Sequence, residues 1–182
     1  MDTTVAVAEP VEELAGTDVK QTPALRAQRG EYLAFRVGDE DYAIEILRVQ
    51  EIRSYETPTR IAEAPACVKG VVNLRGVIVP IVDLRLRMGL ASVPPTPTTV
   101  VIVLALRDRV VGAIVDAVSE VVELGDDTLK PCPALGAGTA AHHITGLAGL
   151  EEGSAMRTIV LLDIEALLGD VLAMPAASAS FA

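Results

Sequence analysis

The chain has 182 residues, of which 51% are hydrophobic and 22% charged, and 25 acids against 15 bases leave a formal charge of -10; that length fits one domain or two small ones and can bury about 70% of its unfolded surface. So acidic a chain, with 3% aromatics and no Trp, is poorly equipped for nucleic acid, which is gripped by Lys and Arg on phosphates and by aromatic stacking on bases. The longest uninterrupted apolar run, Val100–Leu106, is far short of the ~20 residues of a membrane helix. Met1-Asp2-Thr3-Thr4 does not begin a basic and then apolar leader, and Cys67 and Cys132 form no CxxC pair. The expected setting is a reducing cytoplasm, without direct membrane insertion.

Residues 1–29 mix acids, Ala, Thr and Pro without a stable period and are predicted to be a disordered tail. Short Val-, Leu- and Ile-rich runs follow, broken by turn signals: Gly38-Asp39-Glu40-Asp41, then Asn73-Leu74-Arg75-Gly76 between the runs 68–72 and 77–82. Residues 83–88 read as a short helix that Asp83 caps and Gly89 stops. Three prolines in residues 91–98 break both helix and ladder hydrogen bonding and divide the ordered chain in two. Beyond them come further apolar runs punctuated by Arg107-Asp108-Arg109 and Gly125-Asp126-Asp127, and a second short helix over 163–168 between Asp163 and Gly169. Residues 171–182, Ala and Ser around one Pro, read as a second disordered tail.

The two halves repeat one another. Residues 32–52 slide onto 101–121 without a gap: Leu33 meets Ile102, Phe35 meets Leu104, Val37 meets Leu106, Val49 meets Val118, Glu51 meets Glu120 and Ile52 meets Val121. Further on, Gly70, Val71 and Leu74 match Gly146, Leu147 and Leu150, and Ile81, Val82, Asp83 and Gly89 match Leu161, Leu162, Asp163 and Gly169. Four segments in one order, counting the gapless stretch as two on either side of its turn, indicate a duplication. The fold class is therefore all-β: two small barrels from an internal duplication, with short helical segments. Barrels of this size are marginal alone and should bury apolar faces on each other, leaving a groove at the seam.

A duplicated β-protein with one acid per repeat raises the question of a carboxylate pair sharing a proton. Asp83 and Asp163 are the equivalent acids, but each closes a β run and opens a helical turn, which suits N-capping. His142 and His143 are neighbours in a Gly- and Ala-rich stretch, with no nucleophile elbow, second His/Cys cluster or phosphate-binding glycine loop to accompany them. No catalytic residue, metal or cofactor is expected, and the chain reads as a non-enzyme.

The repeats differ in charge. Residues 31–90 hold 9 acids and 8 bases, whereas 91–182 hold 11 acids and 4 bases. Arg75 stands at the tip of a tight turn, supported by Asn73, Leu74 and Gly76; in the second half the aligned stretch is Gly149-Leu150-Glu151-Glu152-Gly153. Two similar barrels with different surfaces can engage two different protein partners. Glu51 becomes the ion partner of Arg75 if its strand runs beside that turn.

These residues resemble the CheW family of bacterial chemotaxis coupling proteins over about residues 30–170. The resemblance rests on Gly38-Asp39-Glu40-Asp41-Tyr42-Ala43-Ile44-Glu45-Ile46, on Val49-Gln50-Glu51-Ile52-Arg53, and on the run from Lys69 through Asn73-Leu74-Arg75-Gly76 to Arg85. Val110-Val111-Gly112-Ala113-Ile114-Val115-Asp116 and Thr145-Gly146-Leu147 extend it. It implies two five-stranded SH3-like β-barrels, here about 30–90 and about 96–170, with strand exchange between them left open. It further implies a cytoplasmic adaptor, recruited to receptor arrays, that bridges the helical tips of chemoreceptors to the regulatory domain of the histidine kinase CheA, alternating with that kinase in rings. A CheW-like coupling module of a non-flagellar chemosensory system, with another receptor set, is the alternative. Carried over, the receptor-binding residues are Val49, Glu51 and Arg75, with Val101, Gly112 and Val121 on the opposite wall of a groove that receives a helix. Where the family often has a bulkier residue this chain has Cys67, read as a small buried apolar side chain.

Overall fold

A computed structural model describes residues 27–107, 109–133 and 142–169. Both predicted tails, apart from residues 27–29, lie outside the described residues, as does Asp108 in the expected turn. The Val- and Ile-rich runs form strands because β-branched side chains suit a pleated, half-buried surface. In the first half these are β1 (Gly30–Val37), β2 (Glu40–Glu45), β3 (Val49–Ser54), β4 (Val68–Leu74) and β5 (Val77–Asp83), with a single 3-10 turn at Ile46–Arg48 and the one-turn helix α1 (Leu84–Arg87). The second half supplies β6 (Val100–Leu106), β7 (Arg109–Val115), β8 (Ala117–Leu124), β9 (Leu129–Lys130), β10 (Ile144–Glu152), β11 (Ala155–Leu162) and α2 (Ile164–Leu167).

The strands build two sheets of order β8-β1-β2-β11-β10-β9 and β3-β6-β7-β5-β4. Each sheet therefore draws on both sides of the proline segment: β1 and β2 join strands of the second half, while β6 and β7 join strands of the first. Replacing each strand by its repeat partner converts one sheet order into the other. The irregularities repeat as well. β1 against β8 slips between Ala34↔Glu120 and Phe35↔Val118, and β6 against β3 slips between Val103↔Glu51 and Leu104↔Val49. The hairpins β4–β5 and β10–β11 are bulged at Lys69 and Thr145, and each half contributes one parallel pairing, β5 with β7 and β11 with β2. Among the described strands only β9 is without a counterpart; Leu129 is buried there, and its two-residue strand gives the first sheet six strands instead of the expected five.

Three apolar clusters follow. One lies between the sheets and joins Leu33, Phe35, Ile44, Ile102 and Leu104 to Leu84, Ile164 and Leu168 from the helical turns. The others fill the two barrels: Tyr32, Val122, Leu124 and Leu161 in one, Val79, Ile81, Val101 and Val103 in the other. Asp83 and Asp163 have the predicted capping role, their Oδ1 atoms accepting from the Arg85 N–H at 2.9 Å and the Ala166 N–H at 3.1 Å. Cys67 is half-buried rather than fully buried, and packs on the edge of the inter-sheet cluster.

Candidate functional site

The β4–β5 hairpin turns through two residues, and both have positive φ: Arg75 at 54° and Gly76 at 88°. That combination matches the right-handed twist of the flanking strands. Glycine adopts it without steric cost, while Arg75 is held there by its surroundings. Asn73 supplies part of the hold, its Oδ1 accepting from the Gly76 N–H at 2.8 Å, and Leu74 packs on the interior of the barrel beneath. The turn presents Arg75 to solvent with its side chain 75% exposed, and its Nη2 donates to Glu51 Oε2 at 2.8 Å.

Glu51 reaches that position because of the bulge in β3. The extra residue between Val49 and Glu51 turns Val49 toward the inter-sheet cluster, whereas Glu51 opposes Val103 on the barrel face. Two residues on, Arg53 lies on the same face and donates from Nη1 to Glu51 Oε1 at 3.4 Å. The Glu51 carboxylate is thus shared between two guanidinium groups, and the cluster carries a net positive charge on an acidic protein. Sequence reasoning passed over Arg53, although its i, i+2 spacing from Glu51 on a strand places both on one face.

The six receptor-binding candidates fall into three environments. Glu51 and Arg75 are in contact at the mouth of the barrel built on β3–β7. Val101 and Gly112 lie inside it: Val101 is 5% exposed and Gly112 is buried, so neither presents a surface wall. A Cβ on Gly112 would stand 2.5 Å from Ile81 Cδ1 and 2.9 Å from Val101 Cγ1; the glycine is there for packing. Val49 and Val121 belong to the seam. Val121 opposes Leu33 on the edge strand β8 of the other sheet and is 51% exposed. Its repeat partner Ile52 opposes Ile102 on the edge strand β3 and is 45% exposed. Directly opposed residues share a face, so Val121 and Ile52 both continue the inter-sheet apolar face out to solvent. β3 therefore carries the exposed apolar Ile52 at the seam on one face and the Glu51–Arg53–Arg75 charged cluster on the other.

The other barrel, on the six-stranded sheet, treats its equivalent acid differently. Glu120, the partner of Glu51 in the repeat, accepts from Arg157 Nη1 at 3.3 Å, and Arg157 Nε also donates to Asp41 at 3.0 Å. Here the arginine belongs to the middle of β11 and is 19% exposed. Its guanidinium is held above the ordinary arginine value, chiefly by the hydrogen bond to Asp41. One barrel offers an exposed guanidinium at a turn tip; the other folds its guanidinium into a cross-strand network.

Residues 31–172 match the family model described as a CheW-like domain. The chain is 46% identical to the chemotaxis protein CheW of Klebsiella aerogenes over 87% of each chain. It is also 36% identical to the probable chemotaxis protein CheW of Rhizobium etli over 77% of this chain and 88% of that protein. Among solved structures, the scaffolding protein TtCheW of Thermoanaerobacter tengcongensis superposes with a TM-score of 0.67 at 26% identity, covering 78% of this chain and 93% of that one.

Proposed function

We propose a function from the premise that this chain belongs to the CheW family of chemotaxis coupling proteins: it is a non-enzymatic cytoplasmic adaptor that couples chemoreceptors to the histidine kinase CheA. The receptor contributes the helical tip of its signalling domain, and CheA its regulatory domain. The observation that carries the reading is the exposed Arg75–Glu51 pair beside an apolar seam edge. A helix laid along the seam would bury its apolar stripe on Val49, Ile52 and Val121, while Arg75 and Glu51 set its register through polar contacts. Val101 and Gly112 act from beneath, by fixing the shape of the barrel that bears the pair. No described helix is long and apolar enough to cross a membrane, and attachment to receptor arrays through protein partners is consistent with that.

A CheW-like module serving another chemosensory system would differ in its receptors and not in its fold. The identity to proteins named chemotaxis protein CheW supports the first reading. The test is a pull-down with purified CheA and a receptor cytoplasmic fragment. Capture of both is expected, and capture of neither would overturn the adaptor reading.

A further inference from the structure

At the end of β4 away from Arg75, a cavity of about 470 Å³ opens between the loop at 55–60 and the proline segment. Lys69 enters it from the β4 bulge, with Nζ 3.2 Å from Ser92 Oγ and 3.9 Å from Asp83 Oδ2. Arg60 lines it from the facing loop, and no ion-pair partner is assigned to it among the described residues. The two acids in the lining are already engaged. Asp116 is gripped by Arg85 at 2.7 to 3.0 Å and by the Gly38 N–H at 2.7 Å, and Asp83 caps α1. Asp116 thus balances Arg85 and Asp83 balances Lys69, which leaves the lining one positive charge in excess, that of Arg60, and Pro58, Val93, Pro94 and Ile114 give the cavity apolar walls.

The repeat shows that this character is not dictated by the fold. The corresponding site in the other barrel encloses about 200 Å³, and its charged lining is Glu45, Arg48, Asp163 and Glu165. Thr145 stands there in place of Lys69. One site is cationic and roomy, the other acidic and small. The larger volume falls within the range of roughly 300–1,000 Å³ typical of small-ligand pockets.

We propose that the Lys69–Arg60 cavity binds a small polyanion bearing phosphate or carboxylate groups, with the ammonium and guanidinium as its anchors and the proline segment as its wall. The site lies apart from the Arg75 cluster and does not depend on the coupling function. To test it, the full chain is titrated at constant ionic strength with pyrophosphate and, separately, with citrate, followed by ¹H–¹⁵N NMR. Saturable shifts of the Lys69, Arg60 and Val93 amides are expected with at least one anion, at a Kd below about 1 mM. Binding should weaken about tenfold in Arg60→Ala and in Lys69→Ala, and Lys130→Ala should leave it unchanged. Saturation by pyrophosphate alone would assign phosphate chemistry, and by citrate alone carboxylate chemistry. Linear, unsaturable shifts with both anions, or saturable binding that Arg60→Ala leaves intact, would overturn the site. Arg60 is exposed, so its substitution should not compromise folding.

Discussion

Arg85 and Glu165 occupy the same place in the two halves, two residues beyond a capping aspartate, and carry opposite charges. Each is paired: Arg85 with Asp116 at 2.7 Å and Glu165 with Arg48 at 2.8 Å. The duplicated framework thus keeps a tie between the helical turn and the segment beside the next edge strand, while the sign of the tie has inverted. Conserving architecture while varying charge also distinguishes the two barrel mouths.

Burial opposes ionisation of Asp116, but the hydrogen bonds from Arg85 and the Gly38 amide, together with the Arg85 charge, hold its carboxyl below its ordinary value of 3.8. A carboxyl depressed in the folded state adds stability that is fully present above that ordinary value and is lost as pH falls through the lower folded one. Asp116→Asn should therefore cost about 2 kcal/mol at neutral pH. In urea titrations the gap between variant and parent should narrow below about pH 4; a gap independent of pH would contradict the assignment.

Gly112→Ala should destabilise the barrel built on β3–β7 by about 1–3 kcal/mol, because the added methyl runs into Ile81 and the stiff Val101 side chain. Combining it with Ile81→Val, which removes the nearer of the two clashing atoms, should recover part of the loss. Urea midpoints of the four proteins in the cycle decide the point, and strict additivity would mean that the clash is relieved elsewhere.

How much of this was open to sequence reasoning differs from feature to feature. The duplication was legible, because strands β1–β3 and β6–β8 keep their apolar spacing and turns without a gap; so were the caps at Asp83 and Asp163. Which strands pair was not, since two hairpins with the same pattern, such as β1–β2 and β6–β7, can dock equally well on either set of partners. Arg75 was legible through its turn chemistry. Val101 and Gly112 were not legible as interior positions, because the central strands β6 and β7 are apolar on both faces and alternation cannot say which face holds a cavity. Val121 was aligned with Ile52 without revealing that the two edge strands belong to different sheets.

Arg75→Asp should leave the fold intact, since an exposed ion pair contributes at most about 1 kcal/mol and the turn is held by Asn73 and Gly76. Circular dichroism should be unchanged while receptor-dependent activation of CheA falls by about tenfold or more. Full activation by the variant would remove Arg75 from the interface.

The charge-reversed double variant Glu51→Arg, Arg75→Glu should restore part of the coupling that each single change loses. Recovery will be incomplete, because Arg53 then faces a second guanidinium where it now donates to Glu51 at 3.4 Å. Adding Arg53→Ala to the double variant should raise the recovery, and a purely additive loss across the cycle would show that Glu51 and Arg75 act separately.

The central claim is that the chain joins a receptor to CheA, and the most direct test is a reconstitution with purified receptor fragment, CheA and this protein. Kinase autophosphorylation in the presence of the receptor should rise steeply when the protein is added and return to the kinase-alone rate when Arg75→Asp replaces it. An autophosphorylation rate that is the same with and without the protein would contradict the account.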